Sequence, residues 1–277
     1  MLVPRLANSI YSRIISGVDN ALKNTGYNLL IAGTENNVQK EKELLESLQY
    51  RMVDAILVAS SSTDASFFSE INKGIPIILI DRRIEQAKLD LVASNDREAS
   101  FQIVNYIFQM GHRHVAIIKG VNDLSITKDR LSGYIDALNQ NGIELNSQLQ
   151  LDCDFTSESA YYAVQQLLSN TPRSEWPTAI YSTNTSMTEG AMGAVYNLGL
   201  SIPDDISIVS FGEMSLPSFF KPQVTCVSRK AEVIGETAGK IALRRIRQCI
   251  NNEKYDVESL IVYSSIKYGD SVKNMNS

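Results

Sequence analysis

Within the 24 residues from Gly111 to Tyr134, GHRHVAIIKGVNDLSITKDRLSGY, the hydrophobic period changes twice, and those changes limit what the chain can fold into. Gly111 follows an apolar run of helical spacing and suits the left-handed conformation that closes a helix. His112, Arg113 and His114 stand where cations complement the carboxyl end of the helix dipole. Val115 to Ile118 is then a short, unbroken apolar run, which fits a strand covered on both faces. Lys119 and Gly120 leave it at its carboxyl end, the end at which open parallel sheets bind ligands. Whatever follows Gly120 is therefore a site candidate, and Arg130 is expected to open the next helix there.

The same alternation runs through the chain. Met1 to Pro4 reads as the tail of a strand that starts further upstream. A helix capped by Asn8 carries Ile10, Ile14, Val18 and Leu22 on one stripe and ends at Gly26. Strands are expected at Tyr27–Ile31, Ala55–Ala59, Ile77–Ile80, Leu91–Ala93, Leu149–Leu151, Thr178–Tyr181, Ile206–Val209, Val224–Val227, Leu260–Val262 and Ile266–Tyr268. Helices are expected at Val38–Gln49, Phe67–Asn72, Asp96–Met110, Arg130–Leu138, Ser157–Leu168, Ser186–Leu198 and Ala231–Gln248. In Val38–Gln49 the leucines Leu44, Leu45 and Leu48 point inward, and Lys40, Glu41, Lys42, Glu43 and Glu46 read as a solvated face. Strands alternating with helices imply right-handed crossovers and parallel sheets. About twelve strands are too many for one open sheet, so the expected fold is α/β with two doubly wound parallel-sheet lobes.

Composition excludes several classes. A net charge of −5 argues against this chain by itself gripping a phosphate backbone. Cys153, Cys226 and Cys249 offer no disulfide framework, which favours a reducing, cytoplasmic setting. No apolar run is long enough to span a bilayer, so no membrane partner is expected. No nucleophile with its base, no metal constellation and no GxGxxG or Walker loop can be assembled, and His112 and His114 lack a third ligand. No catalytic residue, metal or cofactor is therefore expected.

What recurs instead is a polar or aromatic residue just past a strand end: Asn8, Asp81, Arg130, Phe155 and Asn184. Fixed donors and acceptors beside an aromatic face are what a small polar solute needs. Each residue also has a plainer role available: Asn8 as a helix cap, Phe155 as core, Asp81 in a turn, Arg130 on the surface.

The segments GHRHVAIIKG, DRLSGYIDAL, PTAIYSTNTSMTEGAMGAVYNLGLSIPDDISIVSFGE and KPQVTCVSRKAEVIGETAGKIAL resemble the effector-binding core of the lactose repressor (LacI/GalR) family, over about Leu2 to Asp270. The resemblance implies a periplasmic-binding-protein-like fold of type I. Residues 1–93 and 228–257 would form an N-terminal lobe and residues 94–227 and 258–277 a C-terminal lobe, joined by a hinge that the chain crosses several times. It also implies a small-molecule effector, usually a sugar, and a homodimer. Operator DNA would be read by an N-terminal helix-turn-helix and hinge helix that are absent from this chain. A protein corepressor is the variant seen in the catabolite-control branch.

Position by position, the resemblance makes Arg130 the effector-binding arginine, Phe155 the stacking aromatic and Asn184 the asparagine of an Asn-Asp pair. Asp81 becomes the aspartate after the fourth strand, and Asn8 with Tyr11 the first-loop contacts. Three acceptors depart from the pattern: Arg5 stands where an aspartate is common, Thr185 replaces the aspartate after Asn184, and Gly212 replaces the first of two acids, of which Glu213 keeps the second. Arg5, Arg82, Arg83, Lys119 and Arg130 are expected near the cleft mouth as anion contacts, with solvation as the alternative for Arg82 and Arg83. The expected effector is accordingly a phosphorylated sugar or sugar acid. Replacing Arg130 with Ala is expected to weaken the response without unfolding the chain. A solute receptor of a transport system is the alternative function; an export signal upstream would mark it, where a regulator would carry a helix-turn-helix.

Overall fold

The computed structural model describes residues 1–71, 74–215 and 219–276, and the chain divides into two compact units. The first comprises Met1–Ser94, Leu124–Ile126 and Lys230–Tyr263, and the second Asn95–Asp123, Thr127–Arg229 and Ser264–Ser277. The fold is the α/β architecture expected, two mostly parallel sheets with flanking helices.

In the first unit the strands are β1 (Leu2–Val3), β2 (Ala32–Gly33), β3 (Ile56–Val58), β4 (Ile77–Ile80), β5 (Asp90–Ser94) and β11 (Ser259–Val262), and the helices are α1 (Ser9–Leu22), α2 (Val38–Tyr50), α3 (Ser66–Ile71) and α8 (Ala231–Ile250). The sheet order is β11-β5-β4-β3-β1-β2, all parallel. Successive residues of a strand face opposite sides, and both sides here are covered. Val3, Ile78 and Ile80 join Ile14, Val18, Ile234 and Ala238 in one core, whereas Leu2, Ile77 and Leu79 join Leu45 and Phe68 in the other.

The second unit repeats the plan. Its strands are β6 (Val115–Lys119), β7 (Gln150–Asp152), β8 (Ala179–Ser182), β9 (Ser207–Phe211), β10 (Thr225–Ser228) and β12 (Ser265–Lys267), with helices α4 (Asp96–Gln109), α5 (Ser125–Gln140), α6 (Ser157–Asn170) and α7 (Thr185–Asn197). The order is β12-β10-β9-β8-β6-β7, with only β12 antiparallel. Ile103, Ile107, Tyr134 and Leu138 pack on Val115, Ile117, Tyr181 and Val209. In both sheets the strand order reverses direction, between β1 and β3 and between β6 and β8, and at such a reversal the neighbouring loops diverge and leave a crevice.

Several boundaries differ from the sequence expectation. The strand expected at Tyr27–Ile31 falls at Ala32–Gly33, where it pairs with β1. Arg130 does not open its helix, because α5 already begins at Ser125. The segment from residue 258 to 263, expected in the second lobe, belongs to the first unit, since β11 pairs with β5. Residues 228 and 229, expected in the first lobe, fall in the second unit. The expected helix Phe67–Asn72 is seen as Ser66–Ile71, and Asn72 lies outside the described residues. Glu41 is not on a solvated face: it is fully buried on α2, where its carboxylate accepts from Ser60 Oγ at 2.5 Å and from the Ser61 amide at 2.7 Å. Burial raises its pKa, against the lowering by those hydrogen bonds and by Arg82.

Three helix pairs meet backbone to backbone through glycine. A Cβ on Gly235 of α8 would lie 1.9 Å from the Ile14 carbonyl oxygen of α1, and one on Gly17 2.1 Å from the Glu232 oxygen. Gly133 of α5 and Gly190 of α7 stand likewise against Arg97 of α4 and Ser157 of α6. Replacing Gly235 with Ala should therefore force α1 and α8 apart and cost about 1–3 kcal/mol in urea denaturation, although alanine is the better helix former.

His112 is structural, as its place beside a helix end suggested. It is buried, with Nε2 at 3.0 Å from the Lys273 carbonyl and Nδ1 at 2.9 Å from Thr178 Oγ1. The carbonyl places the ring proton on Nε2, so Nδ1 accepts from the hydroxyl. Burial lowers the imidazole pKa below the ordinary 6.5, opposed by the Lys273 hydrogen bond. The contribution of His112 is thus complete above about pH 6.5 and lost as pH falls through the depressed value. The stability advantage of the protein over a His112→Gln variant should shrink when denaturation is repeated at about pH 5 rather than about pH 7.

Candidate ligand site at the strand ends

In the first unit, the loop after β4 places Asp81 at φ 68°, a left-handed conformation that aspartate tolerates better than most residues. Asp81 is buried, and its Oδ2 accepts from the Tyr11 hydroxyl at 3.0 Å, so a residue of α1 and one from the end of β4 form one polar pair. Asn8 caps α1 by accepting from the Ile10 amide at 3.2 Å, as its plainer role required. Arg5 is half-buried in the loop between β1 and α1.

Two expected anion contacts of this unit are engaged elsewhere. Arg82 is buried, with Nη1 donating to the Ser60 carbonyl at 3.0 Å and Nη2 to Asn36 Oδ1 at 2.8 Å. Its charge faces the buried Glu41. Arg83 donates to Glu85 at 2.8 Å at the surface.

In the second unit Arg130 is the centre. It is 2% exposed, and its Nε donates to Asp96 Oδ2 at 2.8 Å while Nη1 donates to the Thr183 carbonyl at 2.8 Å. Nη2 comes within 2.7 Å of the same Asp96 oxygen, but off the hydrogen-bond axis, and has no aligned acceptor among the described residues. The guanidinium lies over the Phe211 ring, 4.1 Å from its centroid. Arg229, also buried, stands 5.6 Å from the same centroid and 4.0 Å from Asp96 Oδ1. Beneath them Tyr181 is hydrogen-bonded to Ser100, and its phenol pKa is raised by burial, against the lowering by Ser100 and Arg130.

Around this cluster lie the other candidates. Asn184 caps α7, its Oδ1 accepting from the Ser186 amide at 2.8 Å and the Met187 amide at 3.4 Å. Phe155 takes φ 67°, which costs an L-residue of this size roughly 1–2 kcal/mol. Its ring lies where a Cβ on Gly120 would be, 2.0 Å away, so the absence of a side chain at Gly120 makes room for it. Lys119 is buried at the end of β6 with Nζ 3.1 Å from Asp152 Oδ1. Glu213 accepts from Ser228 Oγ at 3.0 Å and has Lys267 Nζ at 3.5 Å.

Thus Tyr11 with Asp81 lie together in the first unit, and Arg130, Phe155, Asn184, Lys119 and Glu213 are distributed over adjacent strand ends of the second. Asp96, Arg229 and Thr127 were missed from sequence. Asp96 read only as a helix start. Thr127 was missed because α5 was begun too late, although its spacing of three from Arg130 puts both on one helix face.

Two α/β units with polar side chains at their strand ends define a solute-binding fold. A family model described as periplasmic binding proteins and sugar binding domain of LacI family matches residues 1–268, and the chain belongs to that family. It is 29% identical over 249 residues to the HTH-type transcriptional repressor PurR of Aliivibrio fischeri (strain MJ11), covering 89% of this chain and 74% of that protein. It is 28% identical over 272 residues to the probable HTH-type transcriptional repressor ExuR of Bacillus subtilis (strain 168), covering 98% and 78%. Among solved structures it is similar to a LacI family transcriptional regulator from Enterococcus faecium with bound ribose, at a TM-score of 0.86 and 21% identity, covering 99% of this chain and 98% of that one. No described helix is long and apolar enough to cross a membrane.

The burial of Arg130 changes what its removal should do. Arg130→Ala would leave Asp96 buried without its nearest cation and its hydrogen-bond donor, so it should cost about 3–5 kcal/mol in chemical denaturation as well as any ligand response. The substitution is thus expected to lower stability as well as to weaken the response.

Proposed function

We propose that this chain is the effector-binding core of a transcriptional regulator. A small hydroxylated, sugar-like solute is held by strand-end residues of both units, and the resulting change in lobe angle alters operator binding by a helix-turn-helix N-terminal to this core. The carrying observation is the gathering of buried and half-buried polar side chains at the strand ends of each sheet, Tyr11 with Asp81 in one and Arg130 with Asn184 in the other. Membership of the LacI sugar-binding family and relatives that are named transcriptional repressors support the regulatory output.

The mechanism is conformational. A solute can shift lobe angle only by the difference in its affinity for two states, and contacts drawn from both units supply such a difference. The regulator works as a homodimer, so that a change of angle in each protomer alters the spacing of two DNA-reading heads. Coupling of this kind amounts to roughly 5- to 150-fold in affinity.

The test uses protein expressed from the native gene with its upstream codons, titrated by fluorescence anisotropy against DNA from the flanking intergenic regions. At least one member of a panel of sugars, sugar phosphates and sugar acids should move the DNA-binding midpoint by roughly tenfold. Tyr11→Phe, which leaves Asp81 without its hydroxyl donor, should weaken that response. DNA binding indifferent to every solute, or no specific DNA binding by a protein that binds solutes tightly, would overturn the proposal.

A further inference from the structure

The polar groups at the strand ends of the second unit are mostly hydrogen-bond donors. Asn184 uses its acceptor oxygen on the first turn of α7, so what it has left to offer is the amide donor. Arg130 and Lys119 have no acceptor to offer. Gly212 contributes no side chain after β9, and Thr185 contributes a hydroxyl rather than a carboxylate at the start of α7. The nearby acids already face donors: Asp96 faces Arg130, Asp152 faces Lys119, and Glu213 faces Ser228 and Lys267.

One of the donors is orphaned and a second is only partly met. The Thr127 hydroxyl, on a residue 3% exposed, has no hydrogen-bond partner among the described residues, and Arg130 Nη2 has no aligned one. They are three residues apart on α5, hence on one face. A buried hydroxyl without a partner costs about 1–3 kcal/mol, so Thr127 beside a guanidinium nitrogen with no aligned acceptor, on one helix face, points to an acceptor that the protein does not itself supply.

We infer that this region binds an oxyanion, a carboxylate or a phosphate monoester carried on a small polyol, with Arg130 Nη2, the Thr127 hydroxyl and the Asn184 amide as its donors. The inference rests on the effector-binding reading above and names the ligand class. It differs from the expectation drawn from the cation count, because Arg82 and Arg83 are engaged elsewhere and take no part. Arg130, with Arg229 beside the same Phe211 ring, supplies the cationic charge, and the selectivity comes from the excess of donors over side-chain acceptors that are not already facing a cation or hydroxyl.

Isothermal titration calorimetry of this chain against neutral hexoses and pentoses, their monophosphates and the matching uronates and aldonates tests it. Separate phosphate and carboxylate arms distinguish the two sources of charge. At least one charged compound should bind roughly tenfold or more tightly than its neutral parent, and its affinity should fall with added salt. Thr127→Val, which removes a hydroxyl and retains a similar shape, should reduce that preference by roughly tenfold while the fold persists by circular dichroism. Thr185→Asp, whose carboxylate suits the amino end of α7, should abolish the preference. Neutral parents that bind as tightly as their charged forms, or a charge preference unmoved in both variants, would overturn the inference and leave the effector reading standing. If no panel compound binds while DNA binding responds to some other, uncharged solute, the inference alone fails; if DNA binding responds to no solute at all, the effector reading fails first and takes this one with it.

Discussion

A parallel strand buried on both faces cannot hold a polar side chain along its length without a buried partner for it. The consequence is visible in Ile77–Ile80 and Val115–Ile118, which are apolar throughout and polar only where they end, at Asp81 and Lys119. Polar chemistry is thereby concentrated at one rim of each sheet. Where the strand order reverses, the connecting loops diverge and the rim is left open. The placement of the polar side chains of each unit follows from that exclusion.

Taking buried charge to the rim has its own requirement, since each ion must be met by a partner or by hydrogen bonds. The two units meet it differently. In the first, Glu41, Ser60, Arg82 and Asn36 are linked by hydrogen bonds around the end of β3, where they support the loop that carries Ser60 and Ser61. In the second, Asp96 compensates Arg130 while Phe211 supports the guanidinium face, yet one nitrogen is left without an aligned acceptor.

The fold class was legible because its signal is long and repetitive: runs of four apolar residues alternate with stripes of helical spacing over nearly the whole chain. Asp81 was legible because it follows such a run directly. Asp96 was not, because a carboxylate in a first helical turn has an ordinary explanation in the helix dipole. Glu41 was hidden for a similar reason: in the run KEKE a buried carboxylate looks the same as three solvated neighbours, and only the Ser60 and Ser61 donors single it out. The shift of β2 to Ala32–Gly33 reflects tertiary choice, since the apolar residues at Leu29 to Ile31 fit a strand equally well and pairing with Leu2 and Val3 decides. Asn8 and Asn184, expected as ligand contacts, are helix caps, a role that uses the amide oxygen and leaves the nitrogen to act separately.

Glycine at the seams of α1 with α8, α4 with α5 and α6 with α7 has a mechanical meaning. Where main chains touch, there are few rotamers at the contact to rearrange, and interiors this dense deform little. A shift imposed on one helix is then handed to its neighbour nearly undiminished. Each unit would respond to a bound solute as a stiff lever, with the work done at the rim delivered to the far end instead of being absorbed on the way.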